Sequence, residues 1–468
     1  MVNQITFHCI LIMPIKRRED LLVKKIMHLN AFVIHSPMNH SVGSWTHQDS
    51  QVAENFAQPD IWQDMAKTVE RGKFDAVFFA DVLAAYGNYK NRLDESLTHG
   101  IQFPCHDPVL LVPMLAAVTK HIGFAVTMST TYYAPYMAVR KLSTLDHLTR
   151  GRIGWNIVTS AHIGEARNMG FDKMIPHEER YERATEYMEV CHKLWNSWEP
   201  DSVMADKRTG VFADPNKVHP INHRGKWFSC PGISPVEPSP QGHPVFFQAG
   251  SSESGRDFCA QFAEAAFGVQ LTTRALKLFA DDMRERVVAQ GKQVQDLKYI
   301  WGMQAIIGGT EEEAKRKQRE FNDCVPYEGG LALLSGHTNH DMSQYAVDEP
   351  IKDIKVEGIQ GLLEIFTKMY KPGDLGVDRL TMREVGKVYG ATIGCPQIVG
   401  TPEQIADKME SIIEETGGDG FNITPTTMPD NLLEFVDEVV PILQKRGLHR
   451  REYTGTTLRE HLNQTSCE

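Results

Sequence analysis

The sequence predicts an α/β chain folded as a (β/α)8 TIM barrel with insertions, the longest of them before the last strand. Three observations carry this expectation. Eight short runs rich in Val, Ile, Phe and Ala are apolar throughout rather than alternating, each is paired with a segment of helical periodicity, and no G-x-G-x-x-G follows the first run. Continuously apolar strands belong to a parallel sheet covered on both faces, and the missing glycine fingerprint argues against an open dinucleotide-binding sheet. In a closed barrel the chemistry is expected at the carboxyl ends of the strands.

The elements follow in order. LNAFVI (29–34) is the first strand, trailed by a polar loop and a helix over 60–72 in which Ile61, Met65 and Val69 recur every four residues. AVFFAD (76–81) is the second, and its helix begins after Pro108 with Leu110, Leu111, Met114, Leu115 and Val118. FAVTMS (124–129) precedes a helix after Pro135, and RIGWNIV (152–158) precedes the charged helix 178–195. Beyond a loop dense in Pro and Gly (200–243) come VFFQAGS (245–251), AAFGVQ (265–270) and YIWGMQAII (299–307), separated by helical sequence. GFNITP (420–425) and the amphipathic helix 430–446 complete the set. The segment 322–400, with several glycines plus His337 and His340, is too long for a simple connection and reads as a lid or interface element. The barrel is thus expected over 27–453, with 1–26 as an extension outside the fold and 454–468 as a tail. In the extension an apolar run (7–15) comes before the basic residues, the reverse of a secretory signal.

Composition bounds the partners. The 468 residues include 49 Lys and Arg against 60 Asp and Glu, a formal charge of −11, with no long basic run. That balance disfavours nucleic acid or an anionic membrane as the main partner, and no apolar stretch is long enough to span a bilayer. The 8 cysteines are scattered without CxxC spacing, which fits a reducing, cytoplasmic setting.

Polar residues gather where a barrel puts its site. Asp81 ends the second strand, Thr127 and Ser129 the third, Asn156, Thr159 and Ser160 the fourth, and Gln248, Gly250, Ser251 and Ser252 the fifth. Any one of them alone reads as the N-cap of the next helix. Together they are rich in hydroxyls and amides and poor in paired acids, a lining suited to a polar ring and a phosphate. AGSSESGR (249–256) is the phosphate candidate, because small residues let backbone N–H groups and a helix N-terminus approach an anion, with Arg256 either helping or facing solvent. HEERY (177–181) puts His177 and Tyr181 one turn apart on one helix face. The histidines form no HxH or HExxH pattern, so no metal is expected.

Several long strings resemble the bacterial-luciferase-like flavin monooxygenases, in the branch of nitrilotriacetate monooxygenase component A and the alkane and dibenzothiophene-sulfone monooxygenases. They are RGKFDAVFFADV (71–82), HDPVLLVPMLAAVTKHIGFAVTMSTTYYAPY (106–136), STLDHLTRGRIGWNIVTS (143–160), HEERYERATEYMEVCHKLW (177–195), HRGKWFSCPGISPVEPSPQGHPVFFQAGSSESGR (223–256) and VGTPEQIADKM (399–409). The likeness is collinear from about residue 28 to 453. It implies an FMNH2-dependent monooxygenase of a two-component system, in which a separate NAD(P)H:FMN reductase supplies FMNH2 and O2 reacts through a C4a-(hydro)peroxyflavin to oxidise a small organic substrate. It implies flavin contacts at Asp81, Thr127, Ser160, His177, Tyr181, Ser251 and Ser252, with Asp81 and Thr127 near the ring and Tyr181 and Ser252 near the phosphate. It also implies a homodimer or homotetramer. Aromatics such as Trp155 and Phe247 are expected to wall off solvent. Tyr86 and Gln102 match substrate-pocket positions. The Cys and His that alkane-oxidising relatives place after the first strand are matched by Ser36 and Asn39, and a His after the fourth strand by Ala161, with His162 one step on. Those departures leave Tyr86, Gln102 and His162 as pocket candidates and the substrate open. Two alternatives remain on the sequence: an F420-dependent luciferase-like oxidoreductase, and a non-catalytic flavin-binding subunit.

Overall fold

A computed structural model describes residues 25–351, Phe366 and 380–465. Its centre is a closed barrel of eight parallel strands: β1 (His28–Ile34), β2 (Ala76–Ala80), β3 (Gly123–Ser129), β4 (Ile153–Val158), β5 (Val245–Gln248), β6 (Ala265–Gly268), β7 (Lys298–Ile307) and β8 (Gly420–Ile423). Each strand pairs with its neighbour in sequence; β8 pairs with both β1 and β7, and β6 with β7 completes the ring. All eight strands expected from the apolar runs are present.

The helices stand outside. They include α1 (Pro59–Arg71), α2 (Pro108–Val118), α3 (Pro135–Leu148), α4 (His177–Trp195), α5 (Glu253–Phe262) and α6 (Thr273–Ala289). Three of them start at a proline, where the missing N–H costs nothing and φ is already helical. Alternation divides the strand residues into two layers. Val77, Phe79, Phe124, Val126, Ile153 and Trp155 face the helices, while Phe32, Phe78, Phe247 and Phe267 meet inside the barrel, with ring centroids 4.8–5.7 Å apart and edge-on geometry. Trp155 therefore does not wall the cavity. It is the odd-register residue of β4, packed on Tyr187 and Phe246 with its Nε1–H donated to the Met128 carbonyl.

The amino end of the barrel is closed by residues from 448 onward. Helix Leu458–Asn463 drives Leu458 against Gly123 and Gly154, where a Cβ at either glycine would meet its methyl groups at 2.7 and 3.2 Å. Arg450, without solvent exposure, donates to Asp75 Oδ1 (2.7 Å) and to the His461 carbonyl (2.9 Å). Burial opposes the charge on Asp75, but Arg450 and His28 outweigh it and hold the carboxyl well below its usual range. The extension read over 1–26 lies outside the described residues except for its last two. Of the 322–400 segment, 352–379 lies outside them too, apart from Phe366. Its described parts include α7 (Tyr327–Thr338) and α8 (Met382–Thr392), which cross at glycines: a Cβ on Gly330 would stand 1.8 Å from the Gly386 carbonyl oxygen. Among the described residues no helix is long and apolar enough to cross a membrane.

Candidate active site

The carboxyl ends of β2, β4 and β5, the start of α4 and the end of α7 enclose one cavity of about 260 Å³. Asp81, Tyr86, Ser160, His162, His177, Tyr181, Ser251 and Ser252 all line it. Thr127 and Gln102 do not. Thr127 lies inside the barrel, where its hydroxyl donates to the Phe79 carbonyl (2.8 Å) and accepts from Asn156 Nδ2 (2.8 Å). Gln102 stands behind Tyr86 and accepts its hydroxyl proton at 2.9 Å.

One end of the cavity gathers hydroxyls around the N-terminus of α5. Ser252 caps α5 by accepting from Gly255 N–H at 3.2 Å, and His177 Nε2 reaches the same hydroxyl at 3.1 Å. Burial raises the Tyr181 hydroxyl above its usual range, and the neighbouring Ser252 and Thr159 hydroxyls pull against this. Position 255 needs glycine for space, since a Cβ would meet the Tyr181 hydroxyl at 2.8 Å and Ser252 Oγ at 2.9 Å. That cradle and the helix N-terminus behind it are what a phosphate requires. Arg180, 3% exposed, also lines the cavity; it donates to the Ser160 carbonyl, and its Nε has no partner among the described residues. A buried guanidinium N–H left unmade is costly unless an anion or water completes it. Arg256, by contrast, pairs with Asp282 (3.3 Å) outside the lining.

At the other end Asp81 stands at the tip of β2 beside Cys105, whose thiol donates to Oδ1 at 3.5 Å. Burial pushes the Asp81 carboxyl up to about 7; the thiol pulls against this, and Asp107 and Glu165 add to it. Glu165, also raised by burial, accepts from Leu83 N–H at 3.0 Å and so ties the loops after β2 and β4 together. The insertion contributes Gly336 and His337. Gly336 has no room for a Cβ because Tyr86 lies 2.1 Å from where it would sit, and His337 Nε2 meets the Tyr86 hydroxyl at 2.8 Å. Val82, Ile157, Val158 and Ala161 give the wall its apolar stretches.

Asn39 staples its loop: Oδ1 accepts from Ile34 N–H (3.1 Å), and Nδ2 donates to the carbonyls of Phe32 (3.3 Å) and Pro425 (3.2 Å). Sequence reasoning missed Arg180 and Glu165. Arg180 sits inside the HEERY string, where the turn from His177 to Tyr181 carries it onto the same helix face; nothing in the sequence marks Glu165.

The family model for luciferase-like monooxygenases matches residues 38–420. The long-chain alkane monooxygenase of Geobacillus thermodenitrificans is 41% identical over 442 residues, covering 94% of this chain and 94% of its own. Nitrilotriacetate monooxygenase component A of Aminobacter aminovorans is 38% identical over 426 residues, covering 90% and 93%. The crystal structure of a riboflavin lyase with modified FMN and riboflavin superposes with a TM-score of 0.87 at 32% identity, covering 95% of this chain and 97% of that one. The chain belongs to the luciferase-like monooxygenases, a flavin-dependent family, and is an enzyme of that class.

Proposed function

We propose that this enzyme is the oxygenating component of a two-component system, binding reduced FMN from a separate NAD(P)H:FMN reductase and using O2 to oxidise a small organic molecule. The observation that carries the reading is the phosphate cradle of Ser252, Tyr181, His177 and the α5 N-terminus, in one cavity with Asp81. The orphaned Arg180 Nε and the glycine-only position 255 fit the same group. The modified FMN bound in the riboflavin lyase structure, and the similarity to component A of nitrilotriacetate monooxygenase, support the same reading.

When bound, reduced FMN supplies the activation of O2. The chain's residues do the rest. Ser251, Ser252, Tyr181 and His177 hold the phosphate, and Arg180 balances its charge while fixing the Ser160 carbonyl. Asp81 offers the ring system a carboxyl that exchanges a proton near neutrality. The phenylalanines below the cavity and the α7 wall give the ring end an apolar floor and side that would limit access of water there. Self-association into a homodimer or homotetramer is supported by α2 and α3, which leave Leu110 73%, Met114 44% and Met137 48% exposed.

The test is reconstitution. Substrate-dependent oxygen uptake is expected only with reductase, NAD(P)H and FMN together, and oxygen-independent substrate turnover with F420 in place of FMN, or turnover without any flavin, contradicts the reading.

A further inference from the structure

The first turns of α4 and α5 are joined by a carboxylate that stands outside the cavity. Glu178 accepts from His177 Nδ1–H through Oε1 at 2.8 Å and from the Ser254 hydroxyl through Oε2 at 2.5 Å. Neither Glu178 nor Ser254 is among the described residues that line the cavity, whereas His177 and Ser252 are. On the cavity side His177 Nε2 meets Ser252 Oγ at 3.1 Å, and Ser252 in turn accepts from Gly255 N–H at 3.2 Å. A chain Glu178–His177–Ser252 therefore runs from solvent to the cap of α5, the Glu178 side chain being 75% exposed and the His177 ring 33%.

Stability does not account for the contact. Consecutive helix residues do not face one another, so the imidazole is turned back to meet its neighbour, and an exposed ion pair adds little to folding. What the contact fixes is a proton. A carboxylate only accepts, so the nitrogen carrying hydrogen is Nδ1. Ser254 and then His177 hold the Glu178 carboxyl below its usual range, which keeps it an acceptor at neutral pH. In the neutral ring Nε2 is then a lone pair that takes the Ser252 hydroxyl proton. In the imidazolium Nε2 becomes a second donor, and the Ser252 proton is released toward an anion. A phosphate calls for the second arrangement, and a carboxylate on Nδ1 favours it by charge and by hydrogen bond. Arg180, a cation three residues on, works against it; the Tyr181 ring packs 5.1 Å away with its hydroxyl kept neutral by burial, and α5 presents the hydroxyls of Ser252 and Ser254.

We propose that Glu178 is a positioning residue for the flavin phosphate: acting through His177, it fixes Nδ1 as the protonated nitrogen and makes Nε2 a donor when a phosphate monoester occupies the cradle. This rests on the phosphate reading of the cavity and names a residue outside the cavity on which that grip depends. Glu178 reaches the ligand through the imidazole, so it acts on flavins that carry a phosphate and only while His177 is present.

The experiment is anaerobic calorimetry of the full-length protein with FMNH2 and with reduced riboflavin, which lacks the phosphate. The wild type is expected to prefer FMNH2. Glu178→Ala should weaken FMNH2 binding about fivefold and leave reduced riboflavin unchanged, and Glu178→Gln, whose amide oxygen keeps an acceptor at Nδ1, should recover part of the loss. His177→Ala should also weaken FMNH2, and adding Glu178→Ala to it should cost nothing further. Unchanged FMNH2 affinity in Glu178→Ala, equal loss of both flavins, a glutamine variant no better than alanine, or additive losses in the double variant overturns the proposal. A wild type with no preference for FMNH2 removes the phosphate grip itself, whereas a preference that persists in full in Glu178→Ala keeps the grip and removes only the role of Glu178.

Discussion

At the residue scale Asp81 shows how function and stability pull apart. Its carboxyl ionises near pH 7 in the folded protein and near pH 4 when unfolded. Between those values the native state holds a proton that the unfolded chain has lost, so the group's contribution favours folding at low pH and is lost as pH rises from about 4 to 7. Asp81→Asn should therefore raise the melting temperature at pH 8 and leave it nearly unchanged at pH 4; the upper bound is about 4 kcal/mol. The same variant should bind FMN more weakly. A destabilised Asp81→Asn at pH 8, seen by differential scanning calorimetry, would show that the carboxylate is paired rather than strained. Asp81, Thr159, Ser160, Gln248, Gly250, Ser251 and Ser252 were legible because the strand ends announce them, whereas Tyr86, His162, His177 and Tyr181 were legible only through the family resemblance. Thr127 shows the limit: residues one pleat apart look alike in sequence, and its hydroxyl is consumed inside the barrel by Phe79 and Asn156.

At the element scale the phosphate end depends on how closely α4 and α5 approach. Gly255→Ala inserts a methyl group against Tyr181 and Ser252, and FMN affinity in a fluorescence titration should fall at least about tenfold, with destabilisation held to about 1–3 kcal/mol. The α7–α8 pair is tighter. Gly330→Ala should cost at least that much in urea unfolding, since the Cβ collides with backbone rather than a movable side chain. Affinity unaltered by Gly255→Ala would place the phosphate elsewhere. Strands and barrel helices were readable because apolar runs and four-residue spacing are local signals. The glycines of 322–400 were visible, but their purpose was not, because a crossing of two helices is a long-range contact that periodicity cannot report.

At the scale of the whole molecule, the barrel is stoppered by residues that the sequence sets apart as a tail. Leu458, fully buried, fills the amino end of the barrel, and Leu458→Ala should cost about 2–5 kcal/mol in thermal or urea unfolding while sparing FMN affinity at the other end. Loss of flavin binding without loss of stability would contradict that separation. The hydrogen bonds that tie Asp75 to His28, the Leu29 N–H and Arg450, and Arg450 to the His461 carbonyl, could not be foreseen from spacing, since they join β1, the start of β2 and the segment after residue 448 only in the closed fold. The fold was legible as a whole because eight strand–helix units repeat one pattern; the substrate was not, because the cavity is assembled from loops far apart in the chain, which no local pattern reports. The central claim is that one cavity grips a reduced flavin by its phosphate. Anaerobic calorimetry of FMNH2 against the wild type and a Tyr181→Phe, Ser252→Ala double variant tests it most directly. Saturable binding that weakens by about tenfold or more in the variant is the predicted result, and no binding to the wild type, or equal binding to both, would contradict the account.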